Sequence, residues 1–441
     1  MNAPHRPPAA RARIAVIGAG IAGLASAWLL SRHHAVTLFE ADPRPGGHTH
    51  TVDVTLEGHT HPVDTGFLVF NDRTYPNLLA LFAELGVESV ASDMSFSVSL
   101  AEPELEWAGS NLGTVFGQPR NLARPAFWRM LADLLRFNRE SAAWLAAHPD
   151  SQCSVGAFLD AHDYSPAFAH WYLLPMAAAI WSCPTGQMRA MPLVTFVQFC
   201  RNHGLLQIRD RPVWRTVKGG GREYVRRLLA QLDDVRLGCP VRSVTRAADG
   251  LRVWHAQGMA CYDHVVSACH SDQALRLLDA VLDPAQRAVL SAIRYQPNRA
   301  VLHTDSALLP RRRRLWSAWN YFARRSDDGD QPVGVSYLIN RLQPLPFASP
   351  VMVTLNPARE PDPAKVLDEF DYAHPVFDAA AIAAQSRLPA VQGRGGIWLA
   401  GAWGRYGFHE DGLRSALSVA NALGASAPWQ TAGAAPLWTP A

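Results

Sequence analysis

A chain of 441 residues with a formal net charge of +3 is long enough for two domains with a substantial core. Its 48% apolar and 18% charged residues fit a soluble globular protein, and no charge-dense basic face or RNA-binding signature points to nucleic acid. Cys153, Cys183, Cys200, Cys239, Cys261 and Cys269 form no C-x-x-C pair, so they read as reduced thiols of a cytoplasmic protein, not as a zinc site or redox dithiol.

Residues 1–11 are rich in Pro, Ala and Arg, with no apolar stretch; they read as a flexible tail and not a signal peptide. No apolar run reaches the length that spans a membrane. Residues 14–17 ("IAVI") predict a strand buried on both faces. Gly18, Ala19, Gly20, Ile21, Ala22 and Gly23 then spell G-x-G-x-x-G. Gly18 permits a tight turn, Gly20 lets a pyrophosphate approach the backbone, and Gly23 lets the helix pack close to the strand. The helix is expected over 21–32, with its free N–H groups and positive dipole end toward the phosphates. A second strand over 35–39 ends at Glu40, 22 positions after Gly18, where a carboxylate accepts hydrogen bonds from ribose hydroxyls. Strand, helix and carboxylate together define a dinucleotide-binding unit of Rossmann type.

A second glycine turn follows, with Ala41, Arg44, Pro45, Gly46, Gly47 and His48. His48, His50, His59 and His61 show metal-like spacing, but no thiol or carboxylate set completes a site; a hairpin with alternating exposed residues accounts for them, and no metal is expected. Asp64, Thr65 and Gly66 close a short strand, and 76–85 forms a helix. The stretch 121–202 is helical, and "HWYLLPMAAAIWSCPTGQM" reads as a buried helix broken at Pro184. "WRTVKGGGREYV" gives a glycine turn and a helix, with Lys218 in the turn as a candidate to face a pocket. "RAVLHTD", "VGVSYLIN" and "PVMVTLN" predict strands. Near the C-terminus, 397–400 is a buried strand, Gly401 a turn and 413–423 a helix, which Asp411 caps. His409, on the loop before that helix, is a candidate proton acceptor near neutral pH. His203 and His303 read as core or loop histidines.

Glu40 followed by Arg44, Gly46, Gly47 and a basic residue resembles the FAD-dependent amine oxidase and phytoene desaturase superfamily, with His48 at the position usually held by arginine. The C-terminal "GIWLAGAWGRYGFHEDGLRSALSVANAL" is similar as well. There Gly412 and Leu413 hold the position where backbone N–H groups face the flavin pyrimidine oxygen. Ala402 departs from the pattern, which has an acidic residue contacting the ribityl chain. The resemblance implies a two-domain α/β flavoprotein holding FAD; non-covalent binding is expected, with a covalent link through Cys183 as the alternative. Its discontinuous FAD-binding domain takes 12–87, 205–276 and 390–425; 88–204 and 277–389 form the substrate-binding domain. Residues 426–441 form a second loose tail. The FAD contacts it implies are Gly18, Gly20, Ile21, Ala22, Gly23, Glu40, Ala41, Arg44, Gly46, Gly47, His48, Gly66, Gly401, Ala402, Gly412 and Leu413. Amine oxidases of this superfamily place a lysine near flavin N5; the matching stretch here has Asn298 and Arg299. Arginine stays protonated and is a poor base. Phe408 falls at one wall of the aromatic cage. Lys218, Glu223, Arg299 and Phe408 are thus the substrate-facing candidates, and His409 the catalytic one.

"AIWSCP", "RNHGLL", "WRTVKGGGREYV", "AVLHTD", "WSAWNY", "INRLQPL" and "GFHEDGLRSAL" resemble a narrower bacterial subgroup, the flavoproteins that accompany cyclopropane-fatty-acid-synthase-like methyltransferases. That likeness implies desaturation of a modified fatty-acyl chain in a membrane lipid, with a lipid-modifying enzyme as partner. Two other readings stay open: oxidation of a small amine, and a non-catalytic flavin-binding partner of a lipid-modifying enzyme. Arg311, Arg312, Arg313 and Arg314, beside Trp316 and Trp319, form either a solvated loop or a contact with anionic lipid headgroups at the inner face of the membrane.

Overall fold

The computed structural model describes residues 11–149, 151–207, 210–325 and 334–430. Strand Arg13–Ile17 lies at the centre of a five-stranded parallel sheet, where its apolar residues are covered on both faces. The order from one edge is Asp234–Arg236, Ala35–Phe39, Arg13–Ile17, His264–Ser267 and Ile397–Leu399. One sheet therefore joins three stretches of chain that are far apart in sequence.

The alternation along the central strand decides what covers each face. Ile14 and Val16 pack with helix Ile21–Ser31 and the C-terminal helix His409–Ala422. Ala15 and Ile17 pack with an antiparallel meander (Val241–Ala247, Gly250–His255, Gly258–Tyr262) and with helices Pro284–Ala292 and Ala379–Val391. Helix Ile21–Ser31 approaches its strand closely because Gly23 has no side chain; a Cβ there would overlap the Gly18 carbonyl oxygen.

The second half is a seven-stranded mixed sheet with helices against it. Its order is Val366–Pro375, Tyr295–His303, Met352–Leu355, Gly334–Leu338, Trp319–Arg325, Phe96–Glu102 and Leu105–Ala108. The long helix Pro125–Ala147 turns Phe127, Met130, Phe137 and Leu145 inward at helical spacing. The buried helix expected through Pro175 is interrupted. Ala169–Leu173 forms a widened π turn, and the helix resumes over Leu174–Trp181. Pro175 has no N–H for the Trp171 carbonyl, which instead accepts from Trp107 Nε1 at 3.1 Å.

Two expectations change at the C-terminal end. The last helix begins at His409, four residues before the expected start, and Asp411 lies in its first turn, where it accepts from the Phe408 N–H at 3.0 Å. Residues 426–430 are not loose: Trp429 stacks on Trp28 and donates to Asn77 Oδ1 at 3.2 Å. The remainder of both expected tails, 1–10 and 431–441, lies outside the described residues. Among the described residues, no helix is long and apolar enough to cross a membrane, and no His/Cys/Asp/Glu group is arranged to hold a metal ion.

Candidate active site

A cavity of about 620 Å³ runs from the tip of the parallel sheet into the second half of the molecule. Its first limb is built from the two glycine turns. Gly18 sits at φ +100°, and its Cα approaches the Ala268 carbonyl so closely that a Cβ would lie 2.9 Å from that oxygen. Gly46, at φ +113°, donates to the Ala19 carbonyl at 2.8 Å, which lays the second turn on the first. Ile21, Ala22, Glu40, Ala41, Gly46, Gly47, His48 and Gly66 line this limb, together with Gly401 and Ala402. The Glu40 carboxylate accepts from the Ala19 N–H at 2.7 Å and the Asp42 N–H at 3.0 Å, fixing its place at the strand end.

Two features show that a dinucleotide fits here. A Cβ on Gly20 would meet nothing within 4 Å, so open space faces this helix N-terminus. His48 Nε2 is buried with no hydrogen-bond partner, although its ring lies among His270, Tyr372 and His374. Burial, with the nearby His374 and His270, holds His48 well below the usual imidazole range, so it is neutral. His374 is pushed down to about 4, chiefly by burial. Its Nδ1 accepts from Asn298 Nδ2 at 2.9 Å, which leaves the ring proton on Nε2.

Several expected contacts fall elsewhere. Arg44 binds the carbonyls of Pro45, Gly47 and Thr49, so it clamps the second glycine turn from behind and does not line the cavity. Gly23, Gly412 and Leu413 serve helix packing: a Cβ on Gly412 would lie 2.8 Å from Ile21 Cγ2, and Leu413 is fully buried. Because the last helix starts at His409, the Gly412 N–H is already bound to the Phe408 carbonyl at 3.1 Å. Lys218 lies on the surface paired with Glu88 at 2.7 Å, and Glu223 pairs with Arg226 at 3.0 Å. Arg299 is held outside by Glu360 and Glu369, at 2.9 and 2.8 Å. Each of these charges found an opposite partner at the surface, so none enters the pocket. Cys183 is also off the cavity wall; its buried thiol is pushed up to about 12.

His409 and Phe408 do line the cavity. His409 stacks on Phe67, and its Nε2 lies 2.8 Å from Thr49 Oγ1 and 3.2 Å from the Tyr224 hydroxyl. Burial pushes it down to about 3, which corrects the expectation of titration near neutral pH. The neighbouring Glu410 caps helix Pro76–Leu85, accepting from Asn77 and Leu78 N–H groups.

The second limb is walled by Trp181, Phe199, Leu205, Trp214, Trp319 and Phe408. His203 also faces it, stacked on Phe199 and bonded through Nδ1 to the Phe199 carbonyl at 3.0 Å. His203, His270, Tyr295, Tyr372 and His374 are site residues that sequence reasoning did not single out as such. A histidine in a helix or strand looks the same whether it faces core or cavity.

A Rossmann-type sheet with two stacked glycine turns, opening into an aromatic chamber on a second sheet, defines a two-domain nucleotide-cofactor protein. The chain belongs to the flavin-containing amine oxidoreductase family, whose model matches residues 21–424. It is thus an FAD-dependent oxidoreductase. Solved structures show the same fold. A CLA-producing fatty acid isomerase from P. acnes is 15% identical, with TM-score 0.62 over 92% of this chain and 97% of that one. Cyclohexylamine oxidase from Brevibacterium oxydans IH-35A is 18% identical, with TM-score 0.61 over 94% and 100%. A putrescine oxidase bound to putrescine is 17% identical, with TM-score 0.63 over 94% and 99%. No curated protein matches the chain in sequence.

Proposed function

We propose that this oxidoreductase dehydrogenates a modified fatty-acyl chain while it is part of a membrane lipid. The observation that carries the reading is the second limb of the cavity. Aromatic and aliphatic side chains wall it, and no aspartate, glutamate or lysine lines it among the described residues. An ammonium entering this limb would lose hydration with no carboxylate to pair with, a cost of several kcal/mol. Each methylene of an acyl chain gains about 0.8 kcal/mol on burial. Bound FAD supplies the hydride acceptor. The chain's own part is to hold the substrate against that cofactor and to exclude water, with His48, His374 and Tyr372 at the junction of the two limbs. His409, neutral and bonded to Thr49 and Tyr224, orients groups at the cavity wall. A fatty acid isomerase among the proteins of this fold supports an acyl ligand. The subgroup resemblance adds a lipid-modifying enzyme as proposed partner.

Oxidation of a small amine is the second reading. It is favoured by the aromatic pair Tyr406 and Phe408 on the cavity wall and by amine oxidases of the same fold. Anaerobic mixing separates the two. Phospholipid with methyl-branched acyl chains, dispersed in detergent, should bleach the bound flavin, and primary amines or polyamines should not. Bleaching by an amine and none by the lipid overturns the proposal.

A further inference from the structure

The largest exposed apolar side chains are not scattered evenly. Leu112 is 77% exposed, Leu122 53%, Trp128 49% and Leu135 57%. These four belong to one region. Leu112 lies one helical turn before Phe116, the Phe116 ring lies 5.1 Å from Trp128, and Trp128 Nε1 donates to the Leu122 carbonyl at 2.9 Å. Trp128 and Leu135 are two turns apart on the same face of helix Pro125–Ala147. A contiguous apolar surface of this kind marks a contact site.

Arginines border it. Arg314 binds the Gly117 carbonyl, just after Phe116, and Arg312 pairs with the buried Glu106. The Arg311 backbone N–H also donates to Glu106, at 2.7 Å. The arginine run is therefore not four free cations: Arg312 and Arg314 fasten this loop to the edge of the seven-stranded sheet. That fastening aims the other two outward. The Arg311 side chain is 81% exposed, and Arg313 is exposed over the Trp316 ring. Arg120 and Arg124 add positive charge, both bound to the Glu104 carbonyl. The carboxylates facing this group are already engaged: Glu104 with Arg120 at 2.8 Å and with Arg311 at 3.9 Å, Glu106 with Arg312, and Asp133 with Arg129 and Arg136. Arginine remains in excess.

We propose that this surface docks the protein on an anionic lipid bilayer, with Leu112, Leu122, Trp128 and Leu135 entering the headgroup region and the flanking arginines binding lipid phosphates. Indole rings favour the membrane–water boundary, and guanidinium groups match phosphate oxygens in pairs. A second copy of the chain is a poorer occupant, because a two-fold interface through this patch would set arginines against arginines. The inference rests on the acyl-lipid reading for its purpose and on separate residues for its physics.

Sedimentation of the FAD-loaded protein with sucrose-loaded vesicles tests it. Vesicles containing phosphatidylglycerol should carry the protein down, and pure phosphatidylcholine vesicles should carry much less. Raising ionic strength from about 0.1 M to about 1 M shortens the Debye length from about 10 Å to about 3 Å and should weaken binding. Trp128→Gln and Leu135→Gln should each weaken binding roughly tenfold. Arg311→Ser with Arg313→Ser should clearly reduce the preference for anionic vesicles. All four positions are exposed, so flavin absorbance and melting temperature should match the parent protein. Wild-type protein that stays in the supernatant overturns the proposal. So do variants that sediment like wild type, or a lipid-free dimer that Trp128→Gln dissolves. Oxidation of detergent-dispersed lipid is the separate arm. Vesicle binding without turnover leaves docking standing and removes the acyl reading; turnover without vesicle binding does the reverse.

Discussion

Gly20→Ala separates folding from cofactor binding. Gly20 has φ −73° and ψ −179°, an extended conformation that alanine adopts without strain. The added Cβ would meet no atom within 4 Å. Stability of the apoprotein should therefore hold within about 0.5 kcal/mol, or rise slightly because alanine restricts the unfolded chain. The same methyl group enters the open space at the N-terminus of helix Ile21–Ser31. There it would hold a pyrophosphate away from the backbone. Losing two charge-assisted N–H bonds, each about 1.5–3 kcal/mol, weakens FAD by about 3–6 kcal/mol, or roughly 10²- to 10⁴-fold. Quenching of FAD fluorescence on titrating apoprotein reads the affinity, and thermal melting reads the fold. Gly23→Ala is the contrast: its Cβ would overlap the Gly18 carbonyl oxygen, so melting itself should collapse. If Gly20→Ala melts normally and binds FAD as tightly as wild type, the pyrophosphate does not lie where the first glycine turn puts it.

Glu40→Ala should weaken FAD by about 1.5–3 kcal/mol in the same titration, since a carboxylate at the strand end is lost with its bonds to Ala19 and Asp42; an unchanged affinity would mean another group holds the adenosine ribose. His409→Ala should slow anaerobic flavin reduction more than it loosens FAD, and because burial holds His409 near 3, stopped-flow rates above about pH 5 should show the same pH midpoint with and without it. A midpoint present in wild type and lost in the variant would contradict a neutral His409. Apoprotein stability should fall on acidification from about pH 7 to about pH 5. His48, His203, His374 and His409 have folded values below their unfolded value of 6.5, so their contribution is present above 6.5 and is lost as pH falls below it. His203, His374 and His409, held at about 4, 4 and 3, each cost about 2 kcal/mol at pH 5. Asp64, Glu410 and Asp411 are raised by burial to about 6, 7 and 6; they oppose the trend, because they favour folding at low pH and lose that as pH rises through those values. The histidines outweigh them, and a melting temperature that is flat or rises on acidification would refute this balance.

The nucleotide limb was legible because its signals are local. A strand, a helix and three glycines within one short stretch have few other uses, and Gly18 and Gly46 do take the left-handed backbone that such turns require. The start of the last helix was misread because Gly412 looks like a boundary, whereas it is a packing glycine inside a helix that His409 begins. Lys218, Glu223 and Arg299 were misplaced for a different reason. A charge beside a motif suggests a pocket, but where it points depends on partners remote in sequence: Glu88 for Lys218, and Glu360 with Glu369 for Arg299. His203, His270 and His374 left no local trace of their role, since strand register and helix rotation decide which of them reach the cavity.

The substrate question turns on charge at the junction of the two limbs. In the antiparallel pairing of Tyr295–His303 with Val366–Pro375, Asn298 lies opposite Tyr372 and diagonal to His374. The Asn298 amide donates to His374 Nδ1 at 2.9 Å, holding that ring at the junction. The nearest ionisable rings, His48, His270 and His374, are all lowered, chiefly by burial. The junction therefore holds polar hydrogen-bonding groups without a fixed charge. A cationic amine brought to it would meet no balancing carboxylate, whereas a neutral C–H substrate meets no penalty of that kind. An aromatic limb beyond the junction, walled by Trp181, Phe199, Trp214, Trp319 and Phe408, adds the same preference a second time. Both features support the proposal of an uncharged substrate.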